Sequence, residues 1–169
     1  MSQKIINHQM IIDGKYTNSI TEKIIEIECP ANKRIFASVP RGNEADVDIA
    51  VKSSLKAFRS WSKVMPKERG RILLKIADAI EIEKEDIAKI IATETGNAIK
   101  TQARPEINLV VDIFRYFGGL SSELKGETIP LGEHVLSYTR REPLGVVGAI
   151  IPWLSLIHIS EPTRQAEIS

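Results

Sequence analysis

The sequence predicts a mixed α/β chain, and three observations carry that reading. The first 40 residues alternate in short apolar segments broken by turn residues, as a small sheet does. Between Asn43 and Gly119, four stretches repeat their apolar residues every three or four positions, as amphipathic helices do. After residue 124 the texture returns to strand and ends in a near-continuous apolar run, Val146, Val147, Ala149, Ile150 and Ile151. A run of that kind suits a strand covered on both faces, as in a parallel sheet between helices.

Met10 and Ile12 run into the turn residues Asp13-Gly14. Ile25, Ile27 and then Ile35 to Val39 follow, each segment bounded by Gly, Pro or Asn. A small antiparallel sheet is expected. Pro40, Arg41 and Gly42 punctuate, and Asn43 caps a first helix in which Val47, Val51, Leu55 and Phe58 share one face, with Trp61 near its end. Pro66 suits the first turn of a second helix with the stripe Ile72, Leu73, Ile76, Ala77 and Ile80. Ile87, Ile90 and Ile91 mark a third, which Gly96 stops. Pro105 opens a fourth through Ile107, Val110, Val111, Phe114 and Phe117, and Gly118-Gly119 weakens its far end. All four stripes are expected to be core.

Beyond residue 124, Gly126, Pro130 and Gly132 punctuate a turn-rich stretch. Val135, Ser137 and Thr139 then alternate with Leu136, Tyr138 and Arg140. By pattern alone this hairpin is equally an intersubunit edge or a solvated ribbon. The strand at Val146 to Ile151 needs a parallel neighbour, and a parallel neighbour needs a crossover of a dozen or more residues. Only 18 residues follow Ile151, so the sheet is begun without room to complete it.

Composition excludes more than it selects. With 43% apolar and 27% charged residues the chain is ordinary globular protein, and 23 basic against 22 acidic residues give no field for nucleic acid or an anionic membrane. No apolar run is long enough to span a bilayer and no secretory signal opens the chain, so a cytoplasmic location is expected. Cys29, the single cysteine, has no partner for a disulfide or a metal pair and reads as a packed thiol. There is no CxxC, HExxH or GxxxxGK[ST] motif, and His8, His134 and His158 stand at no ligand spacing. The residues themselves supply no mechanism.

The stretch SYTRREPLGVVGAIIPW, Ser137 to Trp153, closely resembles the NAD(P)-dependent aldehyde dehydrogenase superfamily, and in particular its betaine-aldehyde-dehydrogenase-like branch. IDGKY (Ile12 to Tyr16), CPAN (Cys29 to Asn32), the helix Asp46 to Trp61, ERGRILLKIAD, ETGNAI (Glu94 to Ile99) and FRYFGGL (Phe114 to Leu120) follow in the family's order, so the resemblance runs from about residue 9 to 153. It implies the amino-terminal part of the family's cofactor-binding domain at residues 1–124, an oligomerisation arm at 125–142, and the first strand of a Rossmann-type sheet at 143–153. For the parent protein it implies oxidation of a small aldehyde to a carboxylic acid with NAD or NADP, through a cysteine thioester, in a homo-oligomer of two or four subunits. The family's nucleophilic cysteine and its glutamate belong to segments beyond residue 169. Cys29 falls where the family usually carries asparagine, so no catalytic residue is carried over.

Two sets of residues do carry over from the resemblance. Ile150, Ile151, Pro152 and Trp153 match a strand end that lines the cofactor, and Glu94 matches an acidic position that in some members helps hold a monovalent cation. The residue after that tryptophan is normally an asparagine whose amide donates to the oxyanion, whereas Leu154 has no donor. From Leu154 the segment LSLIHISEPTR resembles the translation of a transposase-type sequencing adapter, and QAEIS its index. Residues 154–169 are therefore expected to be non-native. The fragment as written is expected to be inactive; the alternative is a short non-catalytic protein that uses the helices and the arm for binding.

Overall fold

A computed structural model describes residues 5–150. Its amino-terminal strands are β1 (Ile6–Asn7), β2 (Met10–Ile12), β3 (Lys15–Thr17), β4 (Ile24–Cys29) and β5 (Arg34–Pro40). Asp13 and Gly14 both take positive φ, 54° and 70°, the geometry that a two-residue hairpin loop demands, and they close β2 onto β3 with Ile12 opposite Lys15. β4 and β5 pair antiparallel across the Pro30–Lys33 turn. There the N–H of Lys33 donates to the Cys29 carbonyl at 2.8 Å, and a register shift falls at Ile27/Glu28.

The antiparallel expectation holds for those two pairs and fails at the margin. β1 joins β5 in parallel, Ile6 opposite Ala37 and Asn7 opposite Ser38, giving a three-stranded mixed sheet in the order β1-β5-β4 beside the separate β2–β3 hairpin. A two-residue strand has no periodicity to read. It is visible only through its partner.

The four helices stand where the apolar periods place them: α1 (Glu44–Trp61), α2 (Pro66–Ile82), α3 (Lys84–Thr95) and α4 (Arg104–Leu120). Asn43 caps α1 in a reciprocal box with Asp46, Pro66 occupies the first turn of α2, and Gly96 ends α3 in the left-handed conformation at φ 76°. A π-helical turn, Ile99–Ala103, leads into α4. α2 and α4 form the main helix pair. Their backbones approach at Gly70 and Gly118, where a Cβ on Gly70 would run into Ser121 Oγ and the Gly118 carbonyl. Gly118 is thus a packing residue inside a helix that continues to Leu120, rather than the weak end its composition suggests.

The core is smaller than the stripes promise. Cys29, Ala37, Ala77, Ala88, Ala103, Ile107 and Val111 are buried, and among the described residues no large side chain is fully buried. The stripe of α4 is the best covered, with Ile107 and Val111 each 3% exposed. That of α1 is not core: Val47 is 60%, Val51 40% and Leu55 50% exposed, and Ile72, Ile76, Ile90 and Phe117 also face water in part. Apolar period gives the face that wants cover. It does not supply the covering element.

Beyond α4, β6 (Thr128–Pro130) pairs antiparallel with β7 (Leu136–Tyr138), Thr128 opposite Tyr138. The hairpin is closed where the Glu127 N–H donates to Thr139 Oγ1 at 2.9 Å. β6 lies in the stretch read only as turns, because Pro130 ends it and Gly126 sits just before it. Residues 143–150 carry no regular structure, against the strand expected there. Among the described residues no strand stands beside it to receive its N–H and C=O groups, so the apolar run has no ladder to join.

Candidate functional site

Of the four residues expected to line a cofactor, Ile150 is described and Ile151, Pro152 and Trp153 lie outside the described residues. Ile150 is fully exposed, and Val147 and Leu144 beside it also face solvent. A dinucleotide needs a crevice at the carboxyl ends of adjacent parallel strands. The described residues around Ile150 build no such crevice and do not fit the cofactor by themselves.

Glu94 sits exposed in the last turn of α3, two residues before Gly96. Among the described residues no cluster of three or more His, Cys, Asp or Glu side chains forms that could hold a metal ion. Cys29 is buried at the end of β4, the packed thiol that its surroundings suggest. The expected cofactor wall and cation position share no element. His158 and the whole of the expected non-native segment 154–169 also lie outside the described residues.

The polar groups that the fold does gather are elsewhere. Asp46, on the first turn of α1, is buried. Its Oδ1 accepts the Ile20 N–H at 2.9 Å, and its Oδ2 accepts the Ser19 hydroxyl at 2.7 Å and the Asn43 N–H at 2.9 Å. Asn43 Oδ1 accepts the Asp46 N–H in return at 3.0 Å. These donors, the Ile20 N–H foremost and then Ser19, hold the Asp46 carboxyl below its ordinary range against the opposing effect of burial. The group tethers α1 to the loop after β3, and of its members Ser19 also lines the neighbouring cleft, whereas Asp46 does not. The Asn43-x-x-Asp46 spacing could have shown its capping role; its long-range bond to Ser19 had no local signal.

A cleft of about 420 Å³ opens between β1 and the loop before β4, lined among others by Asn7, His8, Asn18, Glu22, Lys23 and Ser38. Its floor is internally satisfied: Ser38 Oγ donates to Asn7 Oδ1 at 2.8 Å and Gln9 Nε2 to Asn18 Oδ1 at 2.9 Å. Opposite charges from Glu22 and Lys23 sit side by side with no convergent donor set, so the cleft has the makings of a solvated groove rather than a catalytic centre. No helix of the described residues is long and apolar enough to cross a membrane.

Comparison with known proteins matches residues 16–160 to the aldehyde dehydrogenase family. That span includes the first seven residues after Trp153. The chain belongs to the aldehyde dehydrogenase family. It is 40% identical over 145 residues to an aldehyde dehydrogenase of Aspergillus niger, covering 85% of this chain and 29% of that protein. Among solved structures it resembles PnpE from Pseudomonas sp. WBC-3 with TM-score 0.85 at 34% identity, over 92% of this chain and 32% of that one. A structure of PnpE in complex with nicotinamide adenine dinucleotide matches with TM-score 0.74 at 33% identity, over 78% and 27% of the two chains. Betaine aldehyde dehydrogenase from Staphylococcus aureus, in complex with NAD+, matches with TM-score 0.72 at 26% identity, over 76% and 26%. The chain thus spans about a third or less of the relatives it matches, and the mixed α/β fold corresponds to their amino-terminal part.

Proposed function

We propose that the polypeptide to which this segment belongs oxidises an aldehyde to a carboxylic acid with NAD(P)+, and that residues 5–150 supply its amino-terminal framework. The observation that carries this reading is the family match over residues 16–160, joined to backbone similarity with PnpE at TM-score 0.85. NAD+ is the cofactor to test first, since PnpE and the Staphylococcus aureus betaine aldehyde dehydrogenase are both seen with it. Ile150 to Trp153 are proposed to form part of the cofactor wall once neighbouring strands pair with them, and Glu94 to help hold a monovalent cation.

The 169-residue chain itself is proposed to be inactive, because no nucleophile of the family type is assigned within it. Purified chain mixed with NAD+ and a panel of small aldehydes is expected to give no aldehyde-dependent NADH absorbance. Measured turnover would overturn that reading. The exposed β6–β7 hairpin supports a second proposal, that residues 125–142 serve as an arm joining subunits of a cytoplasmic homo-oligomer. A binding role without catalysis is the rival, favoured by the same exposed hairpin, and an active full-length polypeptide carrying this segment would end it.

A further inference from the structure

Two rows run side by side along α1, and both face water. The residues that meet the rest of the chain are Asp46, Ala50 and Ser53, buried or half-buried, where Asp46 holds Ser19 and the Ile20 N–H and Ser53 Oγ reaches Asp13 Oδ1 at 3.5 Å. On another side of the helix Val47, Val51 and Leu55 recur every four residues and stand exposed. Phe58, next on that side, is half-buried, so the open row ends at Leu55 and its midpoint is Val51. Along one flank lies the second row, Glu44, Asp48, Lys52, Lys56 and Arg59, at spacings of 4, 4, 4 and 3. All five are exposed, and none makes an ion pair among the described residues. The signs are segregated, acid before Val51 and base after it. A net charge of +1 over the whole chain hides that order.

We propose that this face of α1 pairs with the same face of a second copy of the chain, antiparallel, with Val51 on the two-fold axis. Both rows select that axis. In the apolar row Val47 and Leu55 lie four residues either side of Val51, so each Val47 meets Leu55 of the second copy. In the charged row Glu44 lies about 10 Å before Val51 along the helix and Arg59 about 12 Å after it, so each Glu44 comes level with Arg59 of the second copy. Asp48 falls between the levels of Lys52 and Lys56. Because the same flank of each helix adjoins in such a pair, the acidic half of one charged row runs along the basic half of the other, across the usual helix separation of about 8–10 Å. A parallel pair would instead set Glu44 beside Glu44 and Lys56 beside Lys56, which destabilises. One helix of 18 residues offers a contact below the roughly 1,200 Å² of standard interfaces, so the pair is weak and reversible. It draws on no cofactor or catalytic residue, and it is separate from the β6–β7 arm.

Sedimentation equilibrium of the 169-residue chain, from about 1 μM to about 300 μM, is expected to follow a reversible monomer–dimer equilibrium. Lys52→Glu with Lys56→Glu is expected to weaken the dimer about ten-fold or more, and so, separately, is Glu44→Lys with Asp48→Lys, each with far-UV circular dichroism unchanged. Mixing the two variants is expected to restore association, which a chain that had merely failed to fold could not do. Orientation is read by cross-linking. Chains carrying Val47→Cys, mixed under mild oxidation with chains carrying Leu55→Cys, are expected to link to one another; Cys29 is buried and common to both. Links of like with like would mean a parallel pair and overturn the proposal. So would a chain still monomeric at about 300 μM, which leaves the row to some other partner. A dimer indifferent to both charge reversals, or one that mixing the variants fails to restore, is held elsewhere and overturns it as well.

Discussion

Asp46 is the one charged side chain among the buried polar residues described, and it shows how much a single carboxylate can organise. Three donors from two segments converge on it, so ionised Asp46 is favoured in the folded state over the unfolded one. Its carboxyl is lowered on folding. The stability it contributes is therefore whole above the unfolded aspartate range, about pH 4, and is lost as pH falls through the folded value. Helical signal from α1 is expected to weaken on acidification below that point in the unmodified chain, and to lose that step in Asp46→Asn. An unchanged acid transition in the variant would assign the step to other carboxylates. Asn43→Ala removes the other half of the box and is expected to cost about 1 kcal/mol, read from a urea titration. Gly70→Ala puts a methyl against Ser121 and the Gly118 carbonyl, with an expected cost of about 1–3 kcal/mol in the stability of the α2–α4 pair.

Elements differ in how far they depend on distant partners, and that difference decides what can be read from residues alone. The bounds of α1, α2 and α3 were legible because Asn43, Pro66 and Gly96 act within one turn of their own positions. The Asp13-Gly14 turn was legible for the same reason. β1 and β6 were not, being two or three residues long and defined by pairing with Ala37, Ser38 and the β7 residues. The run Val146 to Ile150 misleads in the opposite sense: its composition fits a buried strand, yet strand structure is a property of the ladder rather than of the run. Arg140 and Arg141 stand exposed at the start of that irregular stretch. Limited trypsin digestion is expected to cut there well before it cuts within α2 or α4, whose paired helices open less readily than an unpaired segment. Early cleavage at Arg69, Arg71 or Arg115 would reverse that order of local stability.

At the scale of the whole chain, large apolar side chains stand exposed in the α1 row, on the β6–β7 hairpin and at Leu144, Val147 and Ile150. A dye that fluoresces on apolar surface is expected to bind the isolated chain strongly, and Val51→Lys with Leu55→Lys to reduce that binding; an unbound chain would mean those faces are covered in solution. The family was legible from ordered motifs such as ETGNAI and SYTRREPLGVVGAIIPW. The proposed site was not: of its four wall residues only Ile150 is described, and no described strand pairs with it.

The alanines at the centre have a calorimetric consequence. Ala37, Ala77, Ala88 and Ala103 bury little area apiece, and both the denaturant slope and the heat-capacity step of unfolding scale with the area newly exposed. The chain should therefore melt over a broad range of urea with a slope below that of a compact protein of equal length. Its thermal transition should be wide, with little curvature in free energy against temperature. A molecule stitched together by methyl groups and glycine contacts loosens gradually.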